Sequence, residues 1–256
     1  MTRQRSSFYI KSEGPNKTAV VNGFQWLSEL GKNDEEKRSA LLAVPLKSNL
    51  QGVISSVIGE QATKAIAKDN RLQLADVKIS LITQRDKVYS WDGPVLAIYP
   101  NKKLLDKIDD LSGVTDVLVI PWVPDEVEYW IDTWSAIELG ATLSEEDTNM
   151  SLHPVVEAAL KSLTVRVNLS TGVSHPRDRS ATIELFKILR DAGIPYEPYD
   201  VRAWLMANGG WNSKGANDVE KIASDILARK RLKTVTSGGW RKNILDIWRK
   251  AAEEKK

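Results

Sequence analysis

The chain contains no cysteine and only two histidines, His153 and His175. Without thiols there are no disulfides, thiolate nucleophiles, cysteine-ligated zinc sites or iron–sulfur clusters. Two histidines cannot complete a three-histidine metal site, so any metal here would be a hard cation held mainly by oxygen. No apolar run approaches the ~20 residues that span a bilayer, and no membrane span is expected. The basic N-terminus is followed by no apolar segment of signal-peptide length, which makes the cytoplasm the expected location. Also missing are a phosphate-binding glycine fingerprint after the first buried strand, a Walker motif, a Gly-x-Ser-x-Gly elbow and a His-Glu-x-x-His pair. The commonest nucleotide-binding and hydrolase designs are thereby excluded, and no cofactor can be named.

What is present is the composition of a globular protein: 256 residues, 42% apolar and 27% charged. Its 36 basic and 34 acidic side chains nearly cancel, but they are unevenly divided. Residues 151–256 hold 19 Lys+Arg against 12 Asp+Glu, and residues 221–256 alone hold 11 against 4. An acidic front thus precedes a basic tail.

Apolar periodicity predicts the elements. Continuous runs at 39–46, 94–99 and 116–120 read as strands buried on both faces, and the alternation of Val77, Ile79 and Leu81 reads as a half-buried strand. That strand is expected to turn at Gln84-Arg85-Asp86 into a hairpin ending near Trp91. Helical spacing marks 20–30, the stretch from Val53 to Gln61 capped by Ser48 or Asn49, 104–111 stopped by Gly113, and 127–134. This alternation predicts an α/β domain over residues 1–145, with a mainly parallel sheet flanked by helices. Residues 141–151 are polar and aperiodic, as in a linker. A mainly helical domain with a basic tail is expected over 146–256, with helices near 154–163, 183–193, 201–208, 219–227 and 244–248. One strand is expected at Val165–Leu169.

Three segments could carry chemistry. Ser170 to Ser180 packs hydroxyls, His175, Asp178, Arg177 and Arg179 into one turn. Ser174, Arg177 and Arg179 suit an anion at a helix N-terminus, and His175 could act as acid or base with Asp178 orienting it. The same residues also suit a plain capped helix, with Ser174 as N-cap and Pro176 in the first turn. The exit from the 116–120 strand places Trp122, Asp125 and Glu126, with Lys102 and Lys103 nearby, at the sheet edge where α/β proteins bind ligands. Those two carboxylates could hold a divalent metal or serve a helix's first turn.

The third segment is the basic tail, where Arg229, Lys230, Arg231, Lys233, Arg241 and Lys242 surround Trp240. Cations interleaved with an aromatic ring suit nucleic-acid phosphates and bases, although cations also favour any helix C-terminus. A helix–turn–helix outline at 183–208 offers Arg202 as a base-reading side chain, with a connection longer than such units use. Three readings stand side by side. One is a cytoplasmic nucleic-acid-associated binding protein. A second is an enzyme or sensor for a phosphate- or carboxylate-bearing small molecule around His175. The third is a protein-interaction scaffold.

Overall fold

A computed structural model of the chain describes residues 5–140, 152–235 and 239–254. Of these, 5–140 lie in one compact unit and 152–254 in another. The expected linker at 141–151 falls outside the described residues. The architecture is α/β, with a mainly parallel sheet in the N-terminal half and helices in the C-terminal half.

The first unit runs β1 (Ser6–Tyr9), α1 (Lys17–Asn33), β2 (Ser39–Val44), α2 (Val53–Ile58), α3 (Glu60–Asp69), β3 (Arg71–Leu74) and β4 (Val77–Thr83). It continues with β5 (Ser90–Ile98), α4 (Lys102–Asp110), β6 (Ser112–Ile120), α5 (Glu128–Trp134) and β7 (Ile137–Glu138). Its seven strands lie in the order β3-β4-β2-β5-β6-β1-β7, and only the β3/β4 pair is antiparallel.

The apolar runs are central strands because both their faces are covered. Leu42 pairs in register with Leu96, and Leu96 with Leu118. These residues and their i±2 neighbours pack on Val20, Phe24, Leu27, Ile54 and Ile66 from α1, α2 and α3. The alternate set, Leu41, Ala43, Val95, Ala97, Val117 and Val119, packs on Leu104 and Ile108 from α4, Trp130 from α5 and Val127 at the N-cap of α5. Each fully buried Val, Leu or Ile among them contributes about 1.5–3 kcal/mol. Gly23 lets α1 lie close: a Cβ there would sit 2.8 Å from Ile120 and 2.9 Å from Leu96.

Several expectations need correction. Strand β4 forms its hairpin with the preceding β3, through Ala75 and Asp76, and does not pair with the segment ending near Trp91, which belongs to β5. Asn49 does not cap a helix at Val53; its side chain accepts from Leu46 N at 2.9 Å within the short turn Lys47–Leu50. The helix expected through Gln61 is broken by Gly59, whose φ of 87° separates α2 from α3.

Gly113 is not a helix cap. Helix α4 ends at Asp110, and Gly113, with φ +87°, belongs to β6. A Cβ at Gly113 would lie 2.8 Å from Trp91 O and closer still to the Asp92 carboxylate. Gly113→Ala therefore combines left-handed backbone strain with overpacking, and it is expected to lower stability by about 1–3 kcal/mol in urea unfolding.

The second unit is helical in all its described elements: α6 (Pro154–Arg166), α7 (Pro176–Asp191), α8 (Pro198–Ala207), α9 (Ser213–Leu227) and α10 (Ile244–Glu253). No strand forms at Val165–Leu169. Helix α6 continues through Val165, which is 90% exposed, and Val167 N bonds to Leu163 O at 3.0 Å. Helix α8 is buried from Val201 through Met206, as a helix apolar on every side must be. Arg202 within it is 2% exposed and held by Asn217 Oδ1 at 2.6 Å and Glu220 at 3.7 Å. A buried Arg cannot read bases, so the helix–turn–helix outline is a packing arrangement.

Tyr196 packs on Phe186 with ring centroids 5.1 Å apart. Among the described residues its buried hydroxyl meets no hydrogen-bond partner, and burial pushes its pKa to about 12. Above its ordinary value of 10.0 the unfolded chain releases this proton while the fold retains it. Stability should therefore fall as pH rises between those two values. Tyr196→Phe removes an unsatisfied polar group and is expected to keep or raise the neutral-pH Tm while lessening the alkaline loss.

Candidate nucleic-acid interface

After α6 the chain closes a polar turn in which Asn168 Oδ1 accepts from Ser170 N at 3.0 Å and from Ser170 Oγ at 2.7 Å. A short 3-10 turn, Gly172–Ser174, then leads into α7. The N-cap is His175, not Ser174. Its Nδ1 accepts from Arg177 N at 3.3 Å, and Pro176 occupies the first helical position. That use of Nδ1 leaves no Nδ1–H for Asp178 to orient.

Ser174 lines a small polar hollow of about 180 Å³ with Ser170, Thr171, Asn212, Lys214 and Asp218. Arg177 and Arg179 are exposed and lie outside that hollow's lining. Of the three expected anion-binding residues, Ser174 is the one that lines this hollow.

The basic tail begins where α9 ends. Arg229 adopts a left-handed backbone, φ 55°, and turns the chain away from the helix axis. Lys230 folds back onto Asp225 at 2.7 Å. Arg231 and Lys233 are exposed. Val235 N then donates to Ser180 Oγ at 2.8 Å, which fastens this segment beside the start of α7.

The electrostatics of Asp225 report the consequence. Its pKa is held below the ordinary carboxylate value chiefly by the Lys230 hydrogen bond, with the charges of Lys230, Lys221 and Arg179 adding to it. Arg179 from the polar turn and Lys230 after α9 thus both act on the Asp225 carboxylate. Lys221 is the member that sequence reasoning missed. Its spacing of four from Asp225 along α9 was the available signal.

Trp240 occupies a packing position. Its indole N–H donates to Ala181 O at 2.8 Å and its backbone N–H to Glu184 Oε2 at 3.3 Å. The Arg166 guanidinium lies 4.7 Å over the ring, and Trp248 meets it edge-on at 5.4 Å. Arg241 and Lys242 are exposed beside an open hollow of about 450 Å³ that they line with Ile188 and Asp191.

Residues 152–249 match a family model described as a domain of unknown function (DUF1889). The match begins just before α6 and ends within α10, so it takes in the helical unit and both of its basic segments. No curated protein matches the chain, and no solved structure does.

In the α/β unit, Trp122 is exposed and packs edge-on against Tyr99 at 4.9 Å. Asp125 and Glu126 are exposed in the turn Pro124–Glu126. Lys102 pairs with Asp106 at 2.9 Å and lies 5.1 Å from the Tyr129 ring, while Lys103 is exposed. Among the described residues no group of three or more His, Asp or Glu side chains could hold a metal ion, and no helix is long and apolar enough to cross a membrane.

Proposed function

We propose that the helical unit binds the phosphate backbone of nucleic acid through one basic face. That face is built from Arg177 and Arg179 at the start of α7, Lys221 on α9, and Arg229, Arg231 and Lys233 beyond it. All six are exposed. The observation that supports the reading is the Val235–Ser180 hydrogen bond, which fastens the basic tail beside the start of α7 at 2.8 Å. Lys230 pairs with Asp225 at 2.7 Å, and the exposed Arg179 and Lys221 add positive charge near that carboxylate.

Arginine suits the task because its planar fork donates two parallel hydrogen bonds to phosphate. Phosphate contacts of this kind position a protein without reading sequence. The binding is therefore expected to be salt-steep and weakly selective among sequences. Arg241 and Lys242 extend the positive charge, with Trp240 holding their segment against α7. The proposal places the protein in the cytoplasm.

The test is fluorescence anisotropy of labelled single- and double-stranded DNA and RNA with the full chain. The comparison is a variant carrying Arg179→Gln, Arg229→Gln, Arg231→Gln and Lys233→Gln. Because these side chains are exposed, the variant should keep its melting temperature. Its affinity at moderate salt should fall by at least about tenfold for whichever nucleic acid the wild type prefers. Unchanged affinity would refute the proposal.

A further inference from the structure

The helical unit holds a second candidate, lined by none of the six residues that build the basic face. Where the end of α7 meets the start of α10 there is an open hollow of about 450 Å³, within the size range of small-molecule sites. Its apolar lining comes from Ile188 and Ala192 at the end of α7 and from Ile244 and Leu245 in the first turn of α10. Arg241 and Lys242 line it from the segment just before α10. Both are exposed, and among the described residues neither side chain makes a hydrogen bond or an ion pair.

The one acid in the lining, Asp191, is already engaged. Its Oδ1 accepts from Arg190 Nε at 2.9 Å and from Arg190 Nη2 at 2.7 Å. Its charge is thus offset within α7, and the two cations before α10 are left unanswered. The backbone that carries them is fixed on both sides. Trp240 donates from Nε1 to Ala181 O at 2.8 Å and from its backbone N to Glu184 Oε2 at 3.3 Å, which fastens the residue before Arg241 to α7. Ile244 N donates to Arg241 O at 3.0 Å, and the Ile244 side chain is buried.

We propose that this hollow binds a small amphiphilic anion, a single carboxylate or phosphate head on a short apolar chain. The head meets Arg241 and Lys242, and the chain covers the apolar lining from α7 and α10. The planar fork of arginine matches either head with two parallel hydrogen bonds. The pairing of cations with an apolar lining selects this class. An anion without a chain leaves the apolar lining in water, and an ammonium on the same chain meets two like charges. Because the hollow is open, part of the ligand stays in water and a modest affinity is expected.

Octanoate, octyl phosphate, octylammonium and acetate separate these cases. Each is titrated into ¹⁵N-labelled full chain while the amide signals of Ile188, Ala192, Lys242 and Leu245 are followed. At least one of the two amphiphilic anions is expected to give saturable shifts with a Kd of about 1 mM or tighter, and to bind at least about tenfold better than octylammonium or acetate. The tighter of the two names the head. A variant carrying Arg241→Gln and Lys242→Gln, both at exposed positions, should weaken that anion by about tenfold with its melting temperature unchanged. Ile188→Ala should weaken it by about fivefold. The variant with Gln at 179, 229, 231 and 233 should bind it as the wild type does, whatever becomes of nucleic-acid binding. The inference is overturned by the absence of saturable shifts with both anions up to about 10 mM, or by octylammonium or acetate binding equally well. It is also overturned by an affinity that either hollow variant leaves unchanged, or by a loss of anion binding in the variant with Gln at 179, 229, 231 and 233, which would put the anion on the basic face.

Discussion

Arg5→Ala is expected to destabilise the α/β unit by about 3–5 kcal/mol, the range for breaking a buried ion pair from one side. The Arg5 and Asp109 side chains are 3% and 1% exposed, with 2.6 Å between Nη2 and Oδ1. Trp130 Nε1 donates to that same carboxylate oxygen at 3.0 Å. The guanidinium is also stacked 3.5 Å from the Trp134 ring centroid and lies 5.6 Å from that of Trp130. Removing it takes the Arg5 guanidinium from a buried carboxylate and from its stack against the Trp134 indole.

The consequence reaches beyond the pair. Arg5 immediately precedes β1, a strand of four residues placed between β6 and β7. Its ion pair ties the start of that strand to α4, and through Trp130 to α5. Arg5→Lys keeps the charge but loses the planar stack and the fork, so an intermediate loss is expected. Because the chain has two units, the readout should be specific to one of them. Hydrogen exchange of the β6 amides Val117 to Ile120 serves. A loss under about 1 kcal/mol for Arg5→Ala would contradict the burial of the pair.

Trp248→Ala is expected to cost the helical unit a similar amount, about 3–5 kcal/mol. Trp248 is 1% exposed, donates from Nε1 to Ser162 Oγ at 3.0 Å and meets Trp240 edge-on. With Ile244 and Ala252 it forms the buried stripe by which α10 packs on α6. Truncation removes that anchor, and α10 should lose its amide protection while α8, the buried helix of the unit, keeps most of its own. Full protection of α10 in the variant would show that another contact holds it. The amphipathic last helix is thus an integral part of the unit, and its apolar face turns inward.

The sheet core was legible because its strands are continuous apolar runs, Leu41 to Val44, Val95 to Ile98 and Val117 to Ile120, whose two-sided burial is a local signature. Strands β1, β3 and β7 were not. They have four, four and two residues, and β1 is held by parallel pairing with a strand more than a hundred residues away. No local pattern encodes that pairing. Val165 and Val167 misled by flanking a polar residue, as in a strand, although the hydrogen bonding there is helical. Arg202 could have been placed correctly from its neighbours, since Val201, Ala203, Trp204, Leu205 and Met206 leave it no polar side to occupy.

The candidate interface was half legible. The charge excess of residues 221–256 is countable, and the polar turn at 170–180 stands out by composition. That the two adjoin depends on the Ser180–Val235 hydrogen bond, a contact between a side-chain hydroxyl and a backbone amide across 55 positions. Nothing in either segment alone announces it. The packing of Trp240 was equally hidden, because its partners Ala181, Glu184 and Arg166 come from two other helices.

The most direct test of the basic face is the salt dependence of nucleic-acid binding, measured on the wild type and on the variant with Gln at 179, 229, 231 and 233. Each phosphate contact contributes about 0.7 to the slope of log K against log salt for single strands and about 0.9 for duplexes. Removing four cations should therefore flatten that slope by about three, with the melting temperature unchanged. A wild-type slope near zero, or an equal slope in the two proteins, would contradict a nucleic-acid surface at this place.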